Sequence, residues 1–355
     1  MAHALALGAR GLGRTWPNPA VGCVIVRGGR ILGRGWTQPG GRPHAETMAL
    51  AQADDASGAT VYVTLEPCAH HGQTPPCSDA LITARVARVV TALTDPDPRV
   101  SGRGHAALRA AGIQVTETIL HDQARRANAG FLRRISEGRP SITLKLATTL
   151  DGRIATATGE SRWITSLQAR RLVHTLRLTH DAVLVGSGTA RADDPDLTAR
   201  EVGATHQPIR ILLDRNLSHS ADSRLGRTAK AHPVWILHAP DAAHTAIAAW
   251  AQTGAVLIPC PESGTRLDLA SALRLLAARG LTRILCEGGG TIAAALIEAN
   301  LVDDLIHLST GTLIGAEGVP ALGPLGLAHL SNAPRFVHLS TQTLGPDTMT
   351  HWTKP

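Results

Sequence analysis

From residue 21 to 26 the chain is apolar with little interruption; it meets glycines at 28 and 29, then resumes as a strand-like run over 30–36. Two such runs about a Gly-Gly turn predict a β-hairpin. Beyond the hairpin the hydrophobic period alternates. Helical spacing over 44–53, 78–85 and 104–111 is interleaved with short β-prone runs over 59–64, 87–92 and 113–116. That alternation predicts a largely parallel or mixed sheet flanked by helices. A further helix is predicted over 121–135, and the Gly and Pro within 136–141 mark a connector.

The second half repeats the class. Strands are predicted over 142–147, 181–186, 209–214, 234–238 and 284–286, with a helix opening at Ser166 and others over 241–252 and 268–278. The runs 302–309 and 336–343 alternate in the manner of antiparallel strands, so the second sheet is expected to be mixed. No internal repeat and no low-complexity tract is visible. At about 150 residues per domain, 355 residues predict two domains, drawn here as 1–140 and 141–355, both α/β.

Composition narrows the function. The chain is 43% hydrophobic and 18% charged, a globular balance, but only 3% aromatic, which leaves little for base-stacking platforms. The net charge of +7 comes from arginines scattered between Arg10 and Arg335, without a run of like charge. Such a surface suits an anionic small molecule, and neither a nucleic-acid nor a membrane partner is expected. No apolar stretch has the length of a membrane span, and the start lacks a basic leader with a cleavage site, so a cytoplasmic location is expected. Five cysteines, an odd number, make a poor disulfide framework and direct attention to metal binding or catalysis.

His44-Ala45-Glu46 opens a predicted helix, Glu66-Pro67-Cys68 follows a predicted strand, and Cys77 comes nine positions later. One imidazole and two thiolates form a three-ligand zinc set that leaves a fourth tetrahedral position for water, as in catalytic sites. Glu46, two residues from the histidine, is placed to carry a proton from that water to the ring nitrogen and the leaving amine. The order follows the H-x-E and P-C-x-x-C pattern of zinc deaminases, except that eight residues separate the cysteines. In the second half, Cys286-Glu287-Gly288-Gly289-Gly290 lies between a strand and a helix. On spacing alone it is either a tight turn or a phosphate-binding loop.

The stretch Thr64-Leu-Glu-Pro-Cys-Ala-His-His-Gly-Gln-Thr-Pro-Pro-Cys77, with Pro17-Asn-Pro-Ala-Val-Gly22 and His44-Ala-Glu46 before it, resembles the deaminase half of the bifunctional riboflavin-biosynthesis deaminase/reductases. The likeness continues through Asp95-Pro-Asp-Pro98, Gly102-Arg-Gly104 and Gly130-Phe131 into Lys145-Leu-Ala-Thr-Thr-Leu-Asp-Gly-Arg153, and so spans nearly the whole chain. It implies an N-terminal cytidine-deaminase-like three-layer domain and a C-terminal dihydrofolate-reductase-like domain with a mixed sheet. It also implies zinc and NADPH as cofactors, and a homo-oligomer. The implied substrate is 2,5-diamino-6-(5-phosphoribosylamino)pyrimidin-4-one, deaminated first and then reduced from ribosyl to ribityl.

Carried over by position, the resemblance implies that His44, Cys68 and Cys77 bind zinc, that Glu46 is catalytic, and that Asn18 and His70 line the site. For the reductase it implies a cofactor loop of Gly289, Gly290, Thr291, Ile292, Ala293, Ala294 and Ala295, with Ala147, Trp163, Thr189 and Asp193 lining the same cofactor. Ser161, Arg177, Leu197, Arg200 and Glu287 would hold the phosphoribosyl group, the guanidiniums by bidentate bonds to phosphate. Lys145 is a candidate polar group near the reacting carbon. Two departures stand out: Gln73 replaces the basic residue often found there, and Arg215 replaces a small serine, where it could favour the 2′-phosphate of NADP. Two rival readings remain, a nucleic-acid base deaminase and a non-catalytic zinc- or nucleotide-binding regulator.

Overall fold

In the computed structural model, which describes residues 1–70, 75–98 and 100–355, an N-terminal helix α1 (Ala2–Gly8) precedes the predicted hairpin of β1 (Gly22–Arg27) and β2 (Arg30–Trp36). Gln73 lies outside the described residues. The next helix, α2 (Ala45–Leu50), rests directly on the β2 backbone. A Cβ at Gly33 would stand 2.0 Å from the Ala49 carbonyl oxygen, and one at Gly35 2.1 Å from that of Ala45. Only glycine permits this approach.

The first unit, Met1–Arg139, continues through β3 (Thr60–Val63), α3 (Cys77–Thr83), β4 (Arg88–Thr91), α4 (Arg103–Ala110) and β5 (Gln114–Thr116). Its sheet has the order β2-β1-β3-β4-β5; β1 is antiparallel to both neighbours, while β3, β4 and β5 are parallel. Strand alternation builds three layers from this sheet. Cys23 and Ile25 of β1 join Val61, Val63, Leu81 and Leu108 in one core, whereas Val24, facing the other way, packs on Ala4 and Leu7 of α1.

The single helix predicted over 121–135 is instead two, α5 (His121–Ala127) and α6 (Ala129–Glu137). At Asn128 the backbone leaves the helical region, with φ −102° and ψ 13°, and the side-chain amide donates to the Ala124 carbonyl at 3.3 Å. Asparagine here offers the backbone a local alternative to the helix ladder.

The second unit, Pro140–Pro355, runs β6 (Ser141–Thr148), β7 (Arg153–Ala155), α7 (Leu167–Leu178), β8 (Ala182–Gly186), α8 (Ser187–Asp193), β9 (Ile209–Leu213), α9 (Arg224–Arg227) and β10 (Val234–His238). It continues with α10 (His244–Gln252), β11 (Val256–Pro259), β12 (Glu262–Ser263), β13 (Arg266–Leu267), α11 (Leu269–Ala278), β14 (Arg283–Cys286) and α12 (Gly290–Glu298), and ends with β15 (Asp304–Ser309), β16 (Val319–Pro320), β17 (Val337–Leu344) and β18 (Asp347–Thr353). The main sheet has the order β11-β10-β9-β8-β14-β6-β15-β18-β17. It is parallel from β11 to β15 and antiparallel through β18 and β17, hence mixed. The central strands are buried on both faces, so they read as continuous apolar runs: every residue of β8 and β9 is buried. Ser166 caps α7, its hydroxyl accepting from the Ala169 N–H at 3.3 Å. Among the described residues no helix is long and apolar enough to cross a membrane.

Candidate active site

Two helix N-termini and one loop assemble the first site. His44 is the N-cap of α2, Glu46 lies in its first turn, Cys77 begins α3, and Cys68 is carried on the loop leaving β3. His44 Nδ1 stands 3.3 Å from Cys77 Sγ and 3.7 Å from Cys68 Sγ, and the three donor atoms lie within 4.8 Å of one another. Tetrahedral bonds of the lengths zinc makes to nitrogen and sulfur hold donors about 3.6 Å apart, so this N/S/S set fits the ion. Backbone groups fix the loop: the Cys77 N–H donates to Cys68 Sγ at 3.3 Å, and the Cys68 carbonyl accepts from the N–H and the hydroxyl of Ser78, each at 3.1 Å.

The protonation pattern is that of a donor set sharing charge. Cys68 is drawn down to about 4, first by the bond from the Cys77 thiol and then by those from His44 and the Cys77 backbone, against the opposing effect of burial. Cys77 is pushed up by the same bond and by burial, and His44 is raised chiefly by Cys68. Glu46, 4% exposed, is lifted to about 7 by burial, with His44 pulling it back. A buried carboxylate two residues from the histidine ligand position can hold a proton or release it.

The remaining first-unit candidates divide. Asn18 donates to the Gly41 carbonyl at 3.1 Å, and its own carbonyl accepts from the Thr15 hydroxyl at 3.2 Å, so it shapes its loop. His70 Nδ1 is buried with no hydrogen-bond partner among the described residues. In the Asp95–Pro98 segment the Asp95 carboxylate accepts from the Asp97 N–H at 2.9 Å, and burial pushes Asp95 up to about 6. Glu66 has no role legible in the sequence alone, yet its carboxylate is buried and bonded to the loop after β4 and the start of α4. An acidic residue wedged between a strand end and a Pro-Cys ligand was the available signal.

In the second unit a cleft of about 580 Å³ opens at the carboxyl ends of β8 and β14. Ser161, Thr189, Asp193, Gly289, Gly290, Thr291 and Ile292 line it. Gly289 is the N-cap of α12, its N–H donating to the Thr189 hydroxyl at 3.0 Å, so the glycine run does enter a helix N-terminus facing a cavity. Other expected residues sit around it. Ala293 and Ala294 are buried in α12, Ala295 is half-buried on the same helix, and Ala147 packs near Ala169, Val173 and Leu308. Trp163 is 69% exposed, with the Arg170 guanidinium 4.5 Å above its ring.

A strap over residues 312–323 forms one wall. The Asp151 carboxylate accepts from the N–H groups of Ile314 and Gly315, at 3.2 and 2.7 Å, β16 pairs with β7, and the Gly323 N–H reaches the Gly290 carbonyl at 3.0 Å. Arg177 and Glu287 form a bidentate pair, Nε to Oε1 at 2.6 Å and Nη2 to Oε2 at 2.9 Å, and Nη1 donates to the Thr198 carbonyl at 2.8 Å. The fork expected to meet a phosphate is therefore closed on a carboxylate. Arg200, half exposed, bonds the Thr198 hydroxyl and Asp196, and buried Leu197 lies between them at φ +58°. Lys145 is held below its ordinary range by burial, against the pull of Glu287 and Asp193. Arg215 pairs with Glu262 and donates to the Asn216 side chain at 2.7 Å.

Residues 1–93 match the family described as the cytidine and deoxycytidylate deaminase zinc-binding region, and residues 140–350 match the RibD C-terminal domain. The riboflavin biosynthesis protein RibD of Escherichia coli is 43% identical over 364 residues, covering 99% of this chain and 97% of that protein. Its counterpart from Haemophilus influenzae is 40% identical, over 98% of this chain and 94% of that one. Among solved structures, Acinetobacter baumannii RibD is 36% identical with a TM-score of 0.89. A Thermotoga maritima diaminohydroxyphosphoribosylaminopyrimidine deaminase/5-amino-6-(5-phosphoribosylamino)uracil reductase is 33% identical with a TM-score of 0.88; each covers 100% of this chain and 97% of its own.

Proposed function

The chain belongs to the RibD family of bifunctional riboflavin-biosynthesis deaminase/reductases, and on that premise we propose how its residues divide the two reactions. The observation that carries the proposal is the convergence of His44, Cys68 and Cys77 around the buried carboxylate of Glu46. These three side chains would hold zinc, which when bound would supply a nucleophilic water near neutral pH. Glu46 takes a proton from the attacking water and passes it to the substrate. In balance, the ring C–NH2 of the diaminopyrimidinone and one water become a ring carbonyl and ammonia. Burial of Glu46 keeps solvent from competing for that proton.

The second unit takes the deaminated product. Gly289 to Ala295, with Ala147, Trp163, Thr189 and Asp193, would hold NADPH, and the free N–H groups at the start of α12 suit an anionic group of such a cofactor. When bound, NADPH would supply a hydride for C1′ of the ribosyl group, with the C1′–ring-oxygen bond breaking, that oxygen taking a proton to become a hydroxyl, and NADP+ left as product. Ser161, Leu197 and Arg200 contact the phosphoribosyl group, and the Arg177–Glu287 pair holds the floor beneath it. Lys145 is the nearby amine able to stabilise charge at the reacting carbon.

A coupled assay on the purified chain tests both halves, with ammonia release and NADPH oxidation followed separately. Glu46→Gln is expected to abolish ammonia release while NADPH oxidation on pre-deaminated substrate continues at the wild-type rate. Loss of both activities, or retention of ammonia release, contradicts the division.

A further inference from the structure

Glu66 is buried, 3% exposed, two positions before the ligand Cys68, yet its carboxylate bonds the loop after β4 and the start of α4. Its carboxylate accepts four backbone N–H groups: Oε2 takes those of Asp95 at 3.2 Å and Gly102 at 3.0 Å, and Oε1 takes those of Gly104 at 2.9 Å and His105 at 3.2 Å. Its own N–H donates to the Leu93 carbonyl at 2.9 Å. Gly102 is the N-cap of α4 at φ +75° and has no side chain with which to cap the helix. A glutamate 36 residues upstream supplies the missing acceptor, which satisfies orphan donors and places negative charge at a helix N-terminus. The joint is tight. A Cβ at Gly104 would fall 2.0 Å from the Pro67 carbonyl oxygen and 3.2 Å from Glu66 Oε1.

We infer that Glu66 is a positioning residue for the metal site: it locks the Pro67–Cys68 turn to the loop after β4 and to the start of α4, so that Cys68 Sγ is held in place before any ion arrives. The physical case is the rigidity of the frame around Cys68. On one side the Ser78 hydroxyl and the Ser78 and Cys77 N–H groups fix its carbonyl and sulfur. On the other, four charge-assisted bonds converge on one carboxylate, and such bonds are roughly twice as strong as neutral ones. A preorganised ligand set does not lose ordering entropy on binding, and groups that orient ligands typically contribute about 10- to 100-fold in metal affinity.

The inference rests on the zinc reading of His44, Cys68 and Cys77, and the experiment separates the two. Zinc affinity of the full chain is measured by competition with a chromophoric chelator for wild type and Glu66→Gln, together with the thiolate-to-metal absorption of the Co2+-substituted proteins. Glutamine keeps the shape but turns an NH2 towards N–H donors. The expected result is affinity weaker by about 10- to 100-fold with a shifted Co2+ spectrum, while kcat and KM for NADPH oxidation on pre-deaminated substrate are unchanged. Affinity within threefold of wild type and an unaltered spectrum overturn the inference and leave the zinc reading intact. Absence of zinc binding by wild type overturns both. Should Glu66→Gln fail to fold, the wild type decides: hydrogen–deuterium exchange over 102–106 is expected to be slow in metal-free and zinc-loaded protein alike. Protection gained only with zinc would mean that the metal orders the clamp, and the inference falls.

Discussion

Gly35→Ala isolates the deaminase by moving the helix that carries it. The new Cβ would lie 2.1 Å from the Ala45 carbonyl oxygen and 2.7 Å from the Ala49 N–H nitrogen, both backbone atoms of α2. Real Cβ contacts stop near 3.0 Å, so β2 and α2 must part by about 0.9 Å. The Cβ position is fixed by its own backbone and the two atoms it meets are backbone, so no side-chain rotation relieves the contact. His44 and Glu46 stand at the N-terminus of that helix, so the shift is delivered together to the proposed metal ligand and the proposed proton carrier. Displacement of reacting groups by about 1 Å can cost about 100-fold in rate, and overpacking costs about 1–3 kcal/mol in stability. The assay is ammonia release at saturating substrate, with NADPH oxidation on pre-deaminated substrate as the internal control in the same preparation. The expected outcome is a fall in kcat for deamination of about 100-fold with the reductase unaffected. Deamination within threefold of wild type would show that α2 accommodates the methyl without moving the site, and would refute the reasoning.

Two further perturbations address the second unit. Asp151→Ala unpins the strap over the cleft and is expected to raise the KM for NADPH several-fold with little change in kcat, measured by initial rates; an unchanged KM counts against the strap as a cofactor wall. Asp151 is held down to about 2, first by the Thr149 hydroxyl and then by backbone N–H groups, so its folded pKa lies below its unfolded one. Its contribution is therefore complete above about pH 4 and is lost as pH falls towards 2, and the KM of wild type should show no inflection from Asp151 between pH 5 and pH 9. Arg177→Met strands the buried carboxylate of Glu287 beside the Thr198 carbonyl it also abandons. Breaking such a pair from one side costs about 3–5 kcal/mol, read as a lower thermal midpoint of the reductase transition, and the double variant Arg177→Met, Glu287→Leu should recover much of the stability but not the activity. A single variant as stable as wild type would show that the pair is not buried in solution.

The zinc set was readable from the chain because its chemistry depends on residue type and on short spacings within strand and helix ends. An imidazole, two thiols and a carboxylate in the order His44, Glu46, Cys68, Cys77 have few other uses together, and strand β3 and helix α3 bring the ends of that 33-residue span back to one point. The hairpin and the parallel strands were equally plain, since side-chain period reports which face is buried. The break at Asn128 was not, because an asparagine within a helical pattern shows its competing hydrogen bond only once the backbone is placed. Strand β18 escaped notice for a related reason: its polar and apolar residues make sense only beside β15 and β17, which it separates.

What the amino-acid sequence determined by itself was therefore the local layer: the elements, the two-part α/β class, and the side chains whose type and spacing suit a metal. What the tertiary structure decided was which distant groups answer one another. Arg177 meets Glu287 across 110 residues because β14 inserts between β8 and β6, and Glu66 caps α4 because β3 and β4 are adjacent and parallel. Periodicity encodes the face a residue turns towards, but strand order is a collective choice of the whole core. A carboxylate's partner is settled only when that choice has been made.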